Sequence, residues 1–480
     1  MIPTAIRVQN RNSSFQAYPE CNDTERYAVN LRKQKRVEAS LLKRIKSSRE
    51  LTPVNLCLSD LDHFSKVLSS PGSCKSEVLQ VLQAIKGFVS RPGIDYSSLI
   101  LSDVVYKVII LVMDKDYEVI KEASIILCNL TYGNTDITTY MIERGVTEVL
   151  VKVIGLDQDI TENAIWGIGN LAAESKEICE VIKNSGFLKD LLRYLSEFNE
   201  FPFKIVWVAL WSCANLVCKL KGIRSLEAKQ LTEVLNLMKY CIGEDKLVFE
   251  WIRLAYGLLK NCELGADLMV EHNLVSRVLG AVKEGECRVK DYALQAVGVM
   301  IYSSNKNAQI LISFGVLDLI YETLPMLPSQ YLKTVYWVIS NIAGGTAAQA
   351  HQLIHHVLFS QLALSLDQPD PDLQKELSFV LFNLTIKACL EDLIHIIEQK
   401  ILVKVSEVLA SYANDGKHNL LRFVYHCLLA ISQSDRMDLL QEVLSTGVLA
   451  EIEECRLSKD EKIQRIAGLI FLKFKSLYGE

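Results

Sequence analysis

Apolar residues recur with a helical spacing along nearly the whole chain after residue 74, and breaks rich in Gly, Asn or Pro separate the helical runs. No convincing pair of alternating strands interrupts this pattern. The helical runs recur as a set. One equivalent position can be followed through seven sets at intervals of 40 to 45 residues, at Asn129, Asn170, Asn215, Leu259, Val299, Asn341 and Asn383.

This period predicts the fold class. Armadillo-type helical repeats are about 40–47 residues long, and they stack on their neighbours instead of enclosing one central core. We therefore predict an all-α protein, an armadillo-repeat right-handed superhelical solenoid with a flexible basic N-terminal helix. The predicted divisions are a basic N-terminal segment at 1–50, a linker at 51–73, armadillo repeats at 74–417, and C-terminal capping helices or last repeats, as an irregular pair, at 418–480.

Several helical runs end in Gly that is followed at once by an apolar run. Gly145, Gly186 and Gly315 stand at such joints, each directly before Val or Phe. Glycine adopts the left-handed backbone conformation without strain, which lets one helix stop and the next start at a new angle. These positions predict helix C-caps within the repeats.

Three repeats carry Trp-x-x-x-Asn in phase, at Trp166–Asn170, Trp211–Asn215 and Trp337–Asn341. A spacing of four places both side chains on one face of a helix. Parallel indoles form slots for the stems of Lys or Arg, and an amide can donate to and accept from a peptide backbone. Because Asn is an unusual residue to repeat in a core, we predict a surface that binds an extended peptide. Trp207 and Trp251 lack the Asn, and we predict that they are core residues.

Charge is unevenly distributed along the chain, which has 480 residues and a net charge of −5. Residues 1–50 contain eleven Lys and Arg against five Asp and Glu, so the remainder carries −11. Residues 25–48 read as one basic helix with a thin apolar edge, which predicts folding on a partner. Either this segment has an external acidic partner or it folds back on the acidic body. A nuclear signal or a nucleic-acid arm is a weaker reading, since the acidic body offers no extended basic face.

Other classes of function find little support. No apolar run approaches the roughly 20 residues of a membrane helix, and the first twenty residues lack the apolar core of a signal peptide. Thirteen scattered Cys without C-x-x-C favour buried, reduced thiols. His351, His355 and His356 have a spacing that suits a metal, but no carboxylate or Cys sits at a matching position nearby, so we predict no metal site. No catalytic set stands out, and we predict a protein that is not an enzyme and has no cofactor.

Four segments resemble the importin-α (karyopherin-α) family. Residues 162–172, Glu-Asn-Ala-Ile-Trp-Gly-Ile-Gly-Asn-Leu-Ala, are similar to the family's second repeat. Residues 293–298 are similar to its fifth repeat and 337–345 to its sixth. Residues 31–36, Leu-Arg-Lys-Gln-Lys-Arg, resemble the middle of its importin-β-binding helix. The order and spacing of these segments extend the resemblance over nearly the whole chain.

The resemblance implies a nuclear import adaptor that binds Lys/Arg-rich nuclear localisation signals in a concave Trp/Asn groove and links cargo to importin-β. An export receptor would be a further partner, and the protein would shuttle between cytoplasm and nucleus, without nucleic acid or membrane insertion. The implied major signal site comprises Trp166, Asn170, Trp211, Asn215, Asn129, Gly133, Thr138 and Glu174. The implied minor site comprises Trp337, Asn341, Phe379, Asn383 and Glu376. The implied importin-β contacts are Arg32, Lys33, Lys35, Arg36, Lys43 and Arg44.

The chain departs from the family pattern at several of these positions. The first-repeat Trp is Ile125, and the fourth repeat has Ala255 where an aromatic residue is usual. In the fifth repeat Gln295 and Val299 replace the expected Arg and Asn. We therefore expect fewer Trp slots. In the family the basic N-terminal segment can fold into the major site of its own chain and inhibit it. We expect this autoinhibition to be weaker here, because the segment has fewer basic residues. The alternative is an armadillo scaffold that binds acidic or mixed extended peptides outside nuclear transport.

Overall fold

The computed structural model describes residues 58–91, 94, 96–198, 202–220, 226–367, 369–412, 414–434 and 436–478. Of these, 58–262 form one compact unit and 263–478 form another. All regular structure in these ranges is helical, which confirms the all-α prediction. The implied importin-β contacts lie outside the described residues, and they are Arg32, Lys33, Lys35, Arg36, Lys43 and Arg44.

The described part of the N-terminal unit contains thirteen α-helices and one short 3₁₀ turn, Asp245–Leu247. The helices are α1 (Leu58–Ser69), α2 (Lys75–Val89), α3 (Tyr96–Leu101), α4 (Val104–Leu111), α5 (Tyr117–Leu130), α6 (Thr135–Glu143), α7 (Val146–Lys152), α8 (Gln158–Ala172), α9 (Lys176–Asn184), α10 (Phe187–Leu195), α11 (Phe203–Lys219), α12 (Ala228–Tyr240) and α13 (Val248–Asn261).

The described part of the C-terminal unit contains fifteen α-helices and the 3₁₀ turn Leu324–Met326. The helices are α14 (Gly265–Glu271), α15 (Val275–Glu284), α16 (Cys287–Ser303), α17 (Asn305–Ser313), α18 (Val316–Thr323), α19 (Ser329–Ala343), α20 (Ala347–Ile354), α21 (Val357–Leu364), α22 (Pro371–Lys387), α23 (Leu390–Glu398), α24 (Ile401–Leu409), α25 (Asn414–Ser432), α26 (Met437–Ser445), α27 (Val448–Cys455) and α28 (Glu461–Tyr478).

A typical repeat is two short helices followed by one long third helix. The third helices pack side by side within each unit, from α2 through α5, α8 and α11 to α13 in the first and from α16 through α19, α22 and α25 to α28 in the second. The shorter helices pack against these third helices and against one another. Each third helix buries an apolar stripe, as Ile165 and Ile168 of α8 show with no exposed area. Burying one such side chain contributes about 1.5–3 kcal/mol, which offsets the ordering of the chain.

Local chemistry starts and stops these helices as the sequence predicts. The Asp157 carboxylate caps α8 by accepting hydrogen bonds from the N–H groups of the first turn. Gly145, Gly186 and Gly315 all have φ between 78° and 85°, which confirms the predicted joints. At one equivalent joint, before α24, Lys400 adopts φ of 57° although it has a side chain.

The structure corrects two of the predicted divisions. Residues Leu58–Ser69, placed in the linker at 51–73, form α1, which packs against α2 and α4 and buries Leu61 completely. Residues 418–480, predicted as capping helices or last repeats, do not form an irregular pair. Helices α26, α27 and α28 form a full repeat, with Gly447 at the joint (φ 77°). Polar residues on the exposed faces of these helices conceal the apolar stripe in a short sequence window.

Two predictions from composition concern thiols and membranes. Eleven cysteines lie in the described ranges and all are free thiols. Burial raises the pKa of Cys179 to about 12, which keeps this thiol protonated and unreactive. Within the described residues no single helix has the length and apolarity to span a membrane, and one bent pair, Asn305–Ser313 with Val316–Met326, meets these criteria by length and composition only.

Candidate functional site

The third helices α5, α8 and α11 bring the Trp and Asn residues of the implied major site into one row. Asn129 lies near the end of α5, Trp166 and Asn170 lie on α8, and Trp211 and Asn215 lie on α11. Consecutive third helices are packed together, so the three asparagines occupy equivalent places in three neighbouring repeats. The structure therefore brings these five residues together as the repeat period predicts.

Asparagines of the repeated position tie neighbouring repeats together. In four repeats the Nδ2 group of this asparagine donates a hydrogen bond to an oxygen of the preceding repeat. The acceptors are Ser90 Oγ for Asn129 (3.2 Å), Thr131 Oγ1 for Asn170 (3.1 Å), the Gly169 carbonyl for Asn215 (3.0 Å) and the Ser340 carbonyl for Asn383 (3.2 Å). This structural role was not predicted from the sequence. Because an amide has two N–H donors and one acceptor, one N–H can link the repeats while the remaining groups bind a peptide.

The three asparagines of the N-terminal row differ in how much of the amide remains available. Asn129 is half-buried, whereas Asn170 and Asn215 are each 3% exposed. Among the residues that the structure describes, Oδ1 of Asn170 has no hydrogen-bond partner. Oδ1 of Asn215 accepts a hydrogen bond from Nη2 of Arg253 at 2.9 Å, and Arg253 is itself buried against Glu250. Both the Nδ2 group and the Oδ1 atom of Asn215 therefore form hydrogen bonds within the protein.

Arg253 and Glu250 are site residues that the sequence analysis missed. They stand on α13, in the repeat where Ala255 and Leu259 replace the expected pair. The sequence contained a signal for this pair, namely a Glu and an Arg three residues apart in a mostly apolar helix. Charged residues at such positions are buried only when they are paired, so the spacing indicates a buried ion pair. Arg253 therefore occupies the Oδ1 acceptor of Asn215 with a donor from within the protein.

The indoles do not form the parallel slot that the sequence predicts. The Trp166 and Trp211 rings are 6.1 Å apart between centroids and inclined by 50°, so they contact each other directly. Trp207 also contacts Trp166 edge-on, at 5.7 Å, and is half-buried instead of being a core residue. Trp251 is 1% exposed, which confirms its prediction as core. Trp166 and Trp207 are half-buried, whereas Trp211 is 8% exposed, so the accessible indole surface of this cluster belongs to Trp166 and Trp207.

Two glycines of third helices leave space that a tryptophan ring of the next third helix fills. A Cβ on Gly169 would lie 2.3 Å from Cζ3 of Trp211, and a Cβ on Gly298 would lie 1.9 Å from Cζ3 of Trp337. Both glycines immediately precede the repeated position, at Asn170 and Val299. The absence of a side chain there sets how closely neighbouring third helices approach.

We expect Gly298→Ala to destabilise the C-terminal unit by about 1–3 kcal/mol, because the rigid Trp337 ring has to move. This loss exceeds the roughly 1 kcal/mol that Ala normally gains over Gly inside a helix. Gly280→Ala on α15 is the matched control, since a Cβ there has no neighbour within 4 Å, and it is expected to stabilise. Urea unfolding of the full chain measures both, and equal effects of the two substitutions would contradict the prediction.

Within the implied major site, the resemblance to importin-α assigns Glu174, Gly133 and Thr138 to a pocket that holds a peptide lysine, and this pocket is only partly accessible. Glu174, just after α8, is exposed, and Gly133, before α6, is half-buried. Thr138 has no exposed area, and its hydroxyl donates within α6 to the carbonyls of Asn134 and Thr135. A direct role for the Thr138 hydroxyl in holding a peptide lysine does not fit this conformation, because the group is covered and already hydrogen-bonded. The exposed Glu174 keeps the charge that the pocket requires.

The implied minor site lies on α19 and α22, which pack against each other. Trp337 is 5% exposed and Asn341 is 7% exposed, and Nδ2 of Asn341 donates to the carbonyl of Trp337 at 2.9 Å. Phe379 and Asn383 on α22 are half-buried. The accessible surface of this site is therefore on α22, whereas the α19 pair is mostly packed.

Glu376 places a buried carboxyl group beside this surface. Its side chain is 3% exposed, and Oε2 has no hydrogen-bond partner among the described residues. Burial raises the pKa of Glu376 to about 7, although the positive charges of Lys333 and Lys375 oppose the shift. Lys333 itself forms an ion pair with Asp372, with 2.6 Å between Nζ and Oδ2. A cation brought next to Glu376 would stabilise its ionised form.

Several acids on the third helices already have lysine partners within the protein. Nζ of Lys121 lies 2.7 Å from Oδ2 of Asp159, in the next repeat, and Lys204 contacts the buried Glu162, one turn before Trp166. Partners of this kind reduce the negative field that would attract a basic peptide. Glu174 differs from these acids, because it is exposed and has no such lysine partner among the described residues.

Comparison with known proteins agrees with this architecture. No protein-family model matches the chain. Importin subunit alpha-8 of Arabidopsis thaliana is 24% identical over 341 residues, 68% of this chain and 75% of the relative. Importin subunit alpha-1a of Oryza sativa subsp. japonica is 22% identical over 366 residues, 73% of this chain and 68% of the relative. An engineered protein of known crystal structure, 18% identical, covers 87% of this chain and 99% of its own length with a TM-score of 0.73. The predicted all-α armadillo-repeat fold and the resemblance to importin-α are confirmed.

Proposed function

We propose that this importin-α-like armadillo-repeat protein is a nuclear import adaptor that binds Lys/Arg-rich nuclear localisation signals and links them to importin-β. In this proposal the peptide lies across α5, α8 and α11, and the basic N-terminal segment binds importin-β. The protein would then shuttle between cytoplasm and nucleus, with an export receptor as a further partner. The names of its relatives, which are importin alpha subunits, support this assignment.

The observation that carries the proposal is the row formed by Asn129, Trp166 and Asn170. The half-buried indole of Trp166 offers an apolar face for the stem of a Lys or Arg, with about 0.5–2 kcal/mol of attraction for the cation. Oδ1 of Asn170 is a buried acceptor without a partner in the described chain, and a peptide N–H would satisfy it once the amide turns toward the peptide, because the oxygen is covered in this conformation. The exposed carboxylate of Glu174, after the same helix, supplies opposite charge.

The minor site would be a second contact for longer basic signals. Phe379 and Asn383 keep half-buried surfaces, and the buried Glu376 lacks a hydrogen bond to one carboxyl oxygen. A cation near Glu376 would offset the cost of ionising this carboxyl. On this basis we infer that α22, more than Trp337 and Asn341, makes the contacts with the peptide.

The basic N-terminal segment would provide the link to importin-β. Its excess of positive charge over a body of charge −11 favours an acidic partner, and charge attraction of this kind accelerates association. The segment also has the composition of one that folds when it binds. The residues that we propose for this contact are Arg32, Lys33, Lys35, Arg36, Lys43 and Arg44.

We expect the full chain to bind a fluorescent Lys-rich signal peptide, and Trp166→Ala/Asn170→Ala to weaken binding about 10- to 100-fold. The range combines one cation–indole contact with one hydrogen bond. Glu174→Lys changes an exposed residue and so leaves the fold intact. It is expected to weaken binding at least about fivefold at low salt, through like-charge repulsion. Fluorescence polarisation measures all three proteins.

Trp251→Phe is the matched control, because Trp251 is buried in α13 and its ring N–H donates to the Met238 carbonyl, away from the row. It is expected to leave the peptide affinity unchanged. No binding at about 100 μM, which corresponds to about −5.5 kcal/mol, would contradict the proposal. Equal affinity in all variants would also contradict it. Adding purified importin-β to the full chain tests the second partner separately.

An armadillo scaffold that binds acidic or mixed peptides is the second candidate. It is favoured by the third helices of the C-terminal unit, α16, α19, α22, α25 and α28, which together contain eleven Lys and Arg against five Asp and Glu. Arg422 of α25 lies over the Phe382 ring at 3.9 Å. A Glu-rich peptide in the same assay separates the two functions, because tighter binding than that of the Lys-rich peptide would favour the scaffold.

A further inference from the structure

A group of metal-ligating side chains lies on the first helices of two consecutive repeats, α20 and α23. Nδ1 of His351 lies 2.6 Å from Oδ1 of Asp392, and Nε2 of His355 lies 3.1 Å from the same oxygen. Ligand atoms from all three residues lie within 4.8 Å of one another. The expectation of no metal site depended on the absence of a carboxylate near the histidines. That premise is wrong, because stacking of the repeats supplies Asp392.

The backbone holds these ligands in position. His351 and His355 are four residues apart, at the end of α20, so their rings lie on the same face of the helix. Asp392 is in the first turn of α23 and is 3% exposed, and its Oδ2 accepts a hydrogen bond from the Cys389 N–H at 3.2 Å. This second contact orients the carboxylate, as the outer partners of metal ligands commonly do. The histidine side chains are 58% and 40% exposed, which leaves an open path for an ion.

We propose that His351, His355 and Asp392 form a Zn²⁺ site that joins two neighbouring repeats. Zn²⁺ accepts imidazole nitrogen and carboxylate oxygen ligands in a tetrahedral arrangement, at about 2.0–2.2 Å from each. Neighbouring ligand atoms in such a site are about 3.4 Å apart. The two nitrogen–oxygen distances, 2.6 and 3.1 Å, need to widen by less than about 1 Å, and the exposed rings have room to rotate.

The fourth position is open to water or to another side chain. The ring of His395, one turn after Asp392 on α23, stacks on His355 with 4.4 Å between centroids. His395 therefore packs against one ligand and restricts its rotation. A carboxylate and two imidazoles without Cys suit Zn²⁺ better than the soft ion Cu⁺. Because the three ligands come from two repeats, the ion would act as a cross-link between α20 and α23.

Zn²⁺ titration of the chelator-treated full chain by calorimetry tests this site. We expect one ion bound by His351, His355 and Asp392, and at least about 100-fold weaker binding at that site after His351→Ala/His355→Ala, since both imidazoles are lost. Zn²⁺ at about 100 times its Kd is expected to raise the Tm of the C-terminal unit by roughly 5–10 °C in the wild type but not in the double variant. Co²⁺ as a spectroscopic substitute should show a ligand-field band that the double variant lacks.

His356→Asn is the matched control. His356 follows the ligands directly, but its ring contacts Asp318 at 3.0 Å and caps α21 through the Leu358 N–H. Asn can keep the cap, so Zn²⁺ binding is expected to be unchanged. Asp392→Asn keeps the side-chain shape while removing the charge, and it is expected to weaken binding. Wild type and double variant with equal stoichiometry and affinity, or no wild-type binding at 100 μM Zn²⁺, would overturn the proposal.

Discussion

Arg253→Ala is expected to destabilise the N-terminal unit by about 3–5 kcal/mol. Arg253 and Glu250 are 3% and 7% exposed and form a buried ion pair on α13. Removing the guanidinium leaves the Glu250 carboxylate buried without its partner and deprives Oδ1 of Asn215 of a donor. Breaking a buried pair from one side carries a large penalty because a charge in a low-dielectric interior is poorly solvated.

Replacing both charges is expected to behave differently. Glu250→Leu/Arg253→Met keeps the volume and leaves no unpaired charge, so its free energy of unfolding should lie within about 1–2 kcal/mol of the wild type. Arg193→Ala is a second control. Arg193 is also three residues from an acid, Asp190, but it is 63% exposed, and its loss should cost less than about 1 kcal/mol.

Tryptophan fluorescence during urea unfolding suits this measurement. Four of the five tryptophans, Trp166, Trp207, Trp211 and Trp251, lie in the N-terminal unit. A loss for Arg253→Ala no larger than that for Arg193→Ala would show that the buried pair is unimportant. The double variant also frees the Asn215 acceptor, so its affinity for the signal peptide shows whether Arg253 blocks that part of the row.

Glu376→Gln is expected to stabilise the C-terminal unit by about 3 kcal/mol at pH 8 and by much less near pH 4.5. Burial raises the pKa of Glu376 to about 7, whereas the unfolded chain has the ordinary value near 4.5. Between these values the folded state binds more protons than the unfolded state. Wild-type stability therefore falls as pH rises from 4.5 through 7, and the full penalty applies above pH 7. Gln does not titrate, so the advantage of the variant grows over the same range.

The measurement is chemical unfolding of both proteins at several pH values, followed by circular dichroism. Glu284→Gln on α15 is the control, because Glu284 is exposed, and its effect should stay within about 0.5 kcal/mol at every pH. A difference between Glu376→Gln and the wild type that does not change with pH would contradict a raised pKa. If a basic peptide binds beside Glu376, it should favour the ionised carboxyl and reduce the pH dependence of the wild type.

The candidate site shows where interpretation of the sequence succeeded and where it failed. The repeated Trp and Asn positions correctly placed Trp166, Asn170, Trp211 and Asn215 in one row, because equivalent residues of stacked repeats become neighbours. The prediction of a parallel indole slot was wrong, because ring angles depend on side-chain packing. Here they depend on the contact of Trp166 with Trp207 and on the packing of the Trp211 ring over Gly169. The buried state of Thr138 also depended on the neighbouring helices and not on its own sequence context.

Most helices, the repeat and its joints could be predicted from the sequence, because helical spacing of apolar residues, capping side chains and glycine act within a few residues. The exceptions were α1 and the last repeat. The contacts between groups of different repeats could not be predicted, because they depend on how the helices pack. Arg253 reaches Asn215 from 38 positions away, whereas Asn215 reaches Gly169 across 46 and His355 reaches Asp392 across 37. These offsets differ because loop lengths and helix packing set the register between repeats. A period of 40 to 45 residues identifies the neighbouring repeat but not the neighbouring atom.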